Sequence, residues 1–300
     1  MKVLIIGASS FLGRKVDIYL SKEGISTVGT YFMNSLEGEK YKRLNLLNLN
    51  EIKGILCEVA PDMVIMLSAL STVEECEEKK SLALEINTFS VGYVAEWCLE
   101  SSRHLVFISS ECVFDGLISP YYEWSHYSPI NFYGKTKALA EEMIKTINCS
   151  FAIIRLPLLY GYNCEFDKDT LLRRVVKNLS SEEEILLDNK RIKYPILIDD
   201  VAKGLIEVIK ENLRGIFHFS SQDALTKFEF GLEVANVFGF DKSLVRGMPI
   251  EESISIPKPY KVELVNTRLQ KLNFLGVRKG LSIVKEQILE HVGDIKRAYI

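Results

Sequence analysis

At 300 residues, 47% of them hydrophobic, the chain is long and apolar enough for one large α/β core or a nucleotide-binding domain with a smaller companion, which excludes disorder. A net charge of −3 argues against a general nucleic-acid binder, which needs a basic face. No apolar run approaches the roughly 18 residues of a membrane span, and glycine cuts the opening MKVLIIG too short for a signal peptide. A cytoplasmic protein with neither membrane nor nucleic acid as partner is expected.

Lys2 to Ile6 is a short apolar run ending at glycine, the pattern of a buried parallel strand. Phe11 to Leu20 has helical periodicity, and Ser26 to Tyr31 reads as a second strand. Leu49 to Val59 reads as a helix broken by Pro61, followed by an apolar strand from Met63 to Leu67. A long helix is expected over Ser81 to Ser101, a strand over His104 to Ser109, a helix over Asn131 to Ile147 and a strand over Phe151 to Leu156. Strands separated by helices pair in parallel through right-handed crossovers, so the fold class is α/β with a doubly wound Rossmann sheet.

Beyond residue 160 the pattern loosens. Helices are expected at Asp199 to Glu211 and Lys227 to Phe238, with a strand at Gly215 to Ser220. The prolines at 249, 257 and 259 mark an irregular late segment. The acidic runs Glu74–Glu78 and Glu182–Glu184 read as solvated faces. Six cysteines (Cys57, Cys76, Cys98, Cys112, Cys149, Cys164) lack CxxC spacing and read as reduced, packed thiols. The four histidines are scattered, and no metal is expected.

Three groups carry chemistry. Gly7-Ala-Ser-Ser-Phe-Leu-Gly13 follows a strand and opens a helix, so free N–H groups and the helix dipole can receive a pyrophosphate. Of 13 tyrosines only Tyr133 has a lysine four residues on, Lys137, placing both on one helical face. A nearby ammonium favours phenolate, so Lys137 is expected to lower the Tyr133 pKa and ready it for proton transfer. Ser109-Ser110-Glu111 ends a strand at the sheet edge where ligands sit, and its hydroxyls can hold a substrate oxygen.

Together these groups resemble the extended short-chain dehydrogenase/reductase family. The likeness is tightest at Gly7 to Gly13, Pro61-Asp-Met-Val-Ile with Ser68-Ala69, Ile108 to Gly116, Pro129 to Lys137, and Arg155-Leu-Pro-Leu-Leu-Tyr-Gly161 followed by Asp199-Asp200-Val-Ala. Val113-Phe-Asp-Gly116, Pro120-Tyr and PINFYGKTK are most similar to the dTDP-4-dehydrorhamnose reductase branch. The resemblance implies that Ser110, with Glu111 beside it, orients a keto group, that Tyr133 is the general acid, and that Lys137 binds the cofactor ribose. It likewise places Gly7, Ser9, Ser10, Phe11, Leu12, Gly13, Arg14, Tyr31, Ser68, Ala69, Asn87, Tyr133, Lys137 and Leu156 around the cofactor.

Several positions depart from the pattern. Ser10 replaces the middle glycine of the loop, and Ser110-Glu111 stands for Thr-Asp. Met66 takes the place of an asparagine after the fourth strand, and Leu158 that of a tryptophan. Cys112 stands where nucleotide-sugar dehydratases carry a glutamate, which argues against dehydration. The second strand ends without an acid, and Arg14, Lys40, Lys42 and Arg43 follow nearby, so NADP(H) is preferred with NAD(H) as the alternative.

The implied activity is reduction of a keto group on a nucleotide-linked sugar. Two other readings stay open: a nucleotide-sugar epimerase using the same dyad, and a non-catalytic dinucleotide-binding subunit like the regulatory subunit of methionine adenosyltransferase. By the same likeness, residues 1–162 and 197–220 form the nucleotide domain, while 163–196 and 221–300 form a smaller substrate domain to which Glu229 and Pro257–Lys261 contribute. A homodimer is expected on resemblance alone.

Overall fold

The structure, a computed structural model, describes residues 1–163, 170–248, 256–293 and 295. Cys164 and Pro249, read above from the sequence, lie outside these residues.

In chain order the elements are β1 (Lys2–Ile6), α1 (Phe11–Lys22), β2 (Ser26–Tyr31), β3 (Tyr41–Arg43), α2 (Leu49–Val59), β4 (Met63–Met66), α3 (Val73–Glu78) and α4 (Lys80–Leu84). A π-helical turn (Glu85–Phe89) joins α4 to α5 (Ser90–Glu100), and β5 (His104–Ser110), α6 (Phe132–Ile147), β6 (Ser150–Leu156) and β7 (Leu159–Tyr160) follow. The remainder comprises α7 (Leu171–Ser180), β8 (Ile185–Asp188), β9 (Ile192–Lys193), β10 (Ile196–Leu197), α8 (Ile198–Lys210), β11 (Gly215–His218), β12 (Leu225–Thr226), α9 (Lys227–Phe238), β13 (Val245–Met248) and α10 (Val277–Val292).

Seven strands form one sheet in the order β11-β6-β5-β4-β1-β2-β3, and every pairing in it is parallel. This is the doubly wound arrangement, with its switch between β1 and β4. Side chains alternate along β1. Val3 and Ile5 pack with Val16 and Leu20 of α1 and Val201 and Leu205 of α8 on one face. Leu4 and Ile6 pack with Ile52 and Leu56 of α2, Val94 of α5 and Ala140 of α6 on the other. A separate core gathers α7, α9, α10, β8 and β13 around Val175, Leu187, Phe230, Val234 and Leu281.

Three elements differ from the sequence reading. The helix expected over 81–101 is interrupted by the π turn, which redirects Asn87 and Thr88 toward α6. The late segment contains the 16-residue helix α10, whose buried Val277, Leu281, Val284 and Ile288 recur at helical spacing. Helix α7 likewise buries Leu171, Leu172, Val175, Val176 and Leu179 on one stripe. Among the described residues no helix is long and apolar enough to cross a membrane.

Candidate active site

The turn from β1 into α1 is a cradle of backbone. Gly7 has φ +96°, open to glycine without strain, and a Cβ there would lie 2.8 Å from the Ser68 backbone nitrogen. A Cβ on Gly13 would run into the Gly7 carbonyl oxygen, so the first turn of α1 sits directly on the loop. Ser10 caps α1. Its hydroxyl oxygen accepts from the Gly13 N–H at 3.0 Å, and its own N–H donates to the Gly7 carbonyl at 3.0 Å. Only the Ser10 hydroxyl proton therefore remains to donate elsewhere. A helix N-terminus at the switch point, lined by glycines whose Cβ atoms could not be accommodated, fits a pyrophosphate.

Around this cradle Ser9, Ser10, Phe11, Arg14, Ser68 and Ala69 are partly exposed, and Tyr31 and Leu156 end β2 and β6. Leu12 is 5% exposed and belongs to the core beneath, leaving its backbone as what it offers a ligand. Met66, in the asparagine position of the resemblance, is fully buried with α2 and α5.

The second half of the site is built by α6 and the end of β5. Asn131 caps α6 by accepting from the Gly134 N–H at 2.8 Å, and Glu77 of α3 accepts from the Phe132 N–H at 2.8 Å. Gly134 brings the first turn of α6 against the Ser110-Glu111-Cys112 turn, where a Cβ would strike the Cys112 carbonyl oxygen. Ser110 accepts from the Cys112 N–H at 3.2 Å. Tyr133 and Lys137 thus face the C-terminal end of β5, with Ser110 close enough to influence the phenol.

The expected electrostatics of the dyad are reversed in this state. Burial, foremost, and then the Cys112 thiol raise the Tyr133 pKa, with the Ser110 hydroxyl opposing them. Lys137 is 3% exposed, donates to the Ile108 carbonyl at 2.7 Å and lies over the Phe107 ring at 4.4 Å. Burial pulls it down to about 8, against the pull of Glu141. Desolvation therefore sets the direction, and Tyr133 is held as the phenol.

Beneath the dyad lies a buried ionic network absent from the sequence reading. Glu141, one turn after Lys137, is fully buried and pairs with Arg155 of β6 at 2.8 Å. Ser109 and Tyr127 also donate to Glu141, the latter at 2.8 Å. Arg155 further donates to the Glu123 carbonyl at 3.2 Å.

Other residues named from the sequence have structural partners of their own. Asn87 is fully buried, and its amide is engaged: it accepts from the Leu70 N–H at 2.8 Å and donates to the Leu70 carbonyl at 3.0 Å and Thr136 Oγ1 at 3.1 Å. It holds the loop after β4 to α6. Lys40 is paired with buried Asp17 at 2.8 Å and Lys42 with Glu58 at 2.8 Å. Arg43 stacks over Phe32 at 5.0 Å, beside Tyr31 in the parallel register of β2 and β3. Glu229 completes the capping box of α9 with Thr226. Pro257 does approach the site, its carbonyl accepting from Asn131 Nδ2 at 3.1 Å.

Glu111 is 5% exposed and pairs with Lys193 at 2.7 Å, an ion pair between the turn after β5 and β9 that the sequence did not reveal.

The family model described as the RmlD substrate binding domain matches residues 1–290, and the chain belongs to this family. It is 28% identical to the methionine adenosyltransferase 2 subunit beta of Bos taurus, over 96% of this chain and 87% of that protein. It is 26% identical to the probable low-salt glycan biosynthesis reductase Agl14 of Haloferax volcanii, over 82% and 83%. The crystal structure of a dTDP-4-dehydrorhamnose reductase from Clostridium acetobutylicum superposes with a TM-score of 0.82 at 25% identity, covering 96% of this chain and 99% of that one.

Proposed function

We propose that this member of the RmlD substrate-binding-domain family is a nicotinamide-dinucleotide-dependent reductase of a keto group on a nucleotide-linked sugar, similar to dTDP-4-dehydrorhamnose reductase. The observation that carries the reading is the meeting of Ser110, Tyr133 and Lys137 at the end of β5, with only β4 between it and the strand that leads into the glycine cradle. Gly7, Ser9, Ser10, Gly13 and the first turn of α1 would hold the pyrophosphate, with Ser68, Ala69 and Leu156 lining the groove. The bound cofactor would supply the hydride.

This chain's residues do the rest. Ser110 donates to the substrate carbonyl oxygen and fixes it near Tyr133. Tyr133, kept protonated by burial, gives its proton to that oxygen as charge develops there. Lys137, held by the Ile108 carbonyl and by the charge of Glu141, steadies the resulting phenolate. Ser68 and Tyr31 shape the two ends of the groove. Preference for NADP(H) rests on the missing acid at the end of β2 and on Arg43, which makes no ion pair among the described residues; NAD(H) is the alternative. The five described cysteines are free, in keeping with a reducing cytoplasm.

A second reading has its own support. The likeness to methionine adenosyltransferase 2 subunit beta over 96% of the chain favours a dinucleotide-binding regulatory subunit. Fluorescence titration with NADPH and NADH, then absorbance loss with a panel of nucleotide-linked 4-keto sugars, separates the two. Oxidation that depends on one sugar supports the reductase. Cofactor binding with no sugar-dependent oxidation of NAD(P)H supports the regulatory subunit.

A further inference from the structure

Next to the end of β5, one buried carboxylate has an oxygen without a donor among the described residues, and a neighbouring ammonium has no counter-ion among them. Glu111 Oε1 accepts from Lys193 at 2.7 Å, while Glu111 Oε2 is buried without a partner among the described residues. The antiparallel pairing of β9 with β12 sets Lys193 opposite Leu225, two residues before Lys227, the first residue of α9. Lys227 is partly buried, and its ammonium makes no hydrogen bond or ion pair among the described residues.

Its charged neighbours are Lys258, Lys193 and Arg174, with Asp188 set against them. None of these relieves it. Lys258 is paired with Glu74, Lys193 with Glu111, and Asp188 with Arg191 at 3.5 Å. Asp188 also accepts from the backbone N–H groups of Lys190 and Arg191 at 2.9 and 3.2 Å. Burial and then the surrounding cations pull Lys227 down to about 8. An uncompensated charge in such surroundings is costly, and an orphaned buried acceptor costs a further hydrogen bond.

We propose that Lys227 and Lys193 form an oxyanion-binding subsite beside Glu111, which takes a phosphate or carboxylate oxygen of the sugar substrate while Glu111 Oε2 accepts a hydrogen bond from an adjacent hydroxyl. The inference rests on the reductase reading only in placing the sugar beside Ser110 and Tyr133. A cation and a lone acceptor in one place read a hydroxylated anion and give a neutral sugar nothing for the cation. The oxyanion has two sources, the diphosphate of a nucleotide sugar or a carboxylate on the ring itself.

The test is calorimetric titration of the full chain with inorganic pyrophosphate and with glucuronate, and with glucose as the neutral control. The parent should bind at least one anion, and the anion that binds names the source. Lys227→Met and Lys227→Gln, each verified as folded by circular dichroism, should weaken that binding about tenfold or more, the scale of a charge-assisted contact. If neither anion binds the parent, or the variants bind as the parent does, the subsite is refuted. Because the readout is binding, the two readings fail separately. Lys227-dependent anion binding without turnover of any keto sugar removes the reductase alone, and turnover without such binding removes the subsite alone.

Discussion

Replacing Gly134 by alanine tests how closely α6 must dock on the catalytic edge. Helix propensity alone favours the change by up to about 1 kcal/mol. The structure reverses that sign. The new Cβ would collide with the Cys112 carbonyl oxygen, with Cys112 C at 2.9 Å and Pro129 Cβ at 3.1 Å. The nearest atoms are backbone and cannot rotate away, so the first turn of α6 must retreat. Overpacking of this kind costs roughly 1–3 kcal/mol, leaving a net loss of up to about 2 kcal/mol after the propensity gain. Tyr133, the preceding residue, would move with the turn, and misplacement by about 1 Å lowers turnover on the order of a hundredfold. Urea denaturation reads the first effect and steady-state turnover at saturating cofactor the second. An alanine variant at least as stable as the parent and equally active would refute the docking argument.

Gly13→Val should weaken dinucleotide binding about tenfold or more in fluorescence titration, because the side chain must displace the Gly7 carbonyl; unchanged affinity in a folded variant would remove the proposed cradle. Glu141→Gln leaves Arg155, 1% exposed, without its counter-charge, and urea denaturation should show a loss of roughly 3–5 kcal/mol. Stability like the parent's would mean the pair is not the anchor described. His104 is held down to about 4 by burial, below its ordinary value of about 6.5, so the unfolded chain binds more protons between those values. Stability therefore falls as pH drops through this window, by about 2 kcal/mol for this group at pH 4.5. His104→Gln should flatten that acid limb in denaturant titrations, and an identical pH dependence would exclude His104 as a cause.

Much of the first half of the fold was legible because strands and helices there advertise different periods. The apolar runs Lys2–Ile6 and His104–Ser110 could only be buried parallel strands once helices separated them. Helix α10 carried the same kind of signal in Val277, Leu281, Val284 and Ile288, but the prolines before it drew attention to irregularity. The π turn was not legible, since nothing local distinguishes Glu85–Phe89 from an α-helix; its reason is tertiary, the reach of Asn87 to Leu70 and Thr136.

The site shows the same division. The glycine cradle and the Tyr133–Lys137 spacing are local and could be read in order. Glu141 with Arg155 and Glu111 with Lys193 join residues far apart in the chain, so no spacing rule finds them. The basic residues after β2 follow the same division: their charge is visible in sequence, but the partners Asp17 and Glu58 are not. The dyad misled because burial, invisible in a one-dimensional pattern, decides the direction of the Tyr133 shift.

The most direct measurement is substrate-dependent NAD(P)H oxidation by the parent and by Tyr133→Phe, alongside cofactor affinity for both. The account predicts that the variant loses turnover by roughly two to four orders of magnitude, the scale of a missing general acid, while binding cofactor nearly as tightly. A phenylalanine variant that oxidises the cofactor at the parent's rate would contradict it.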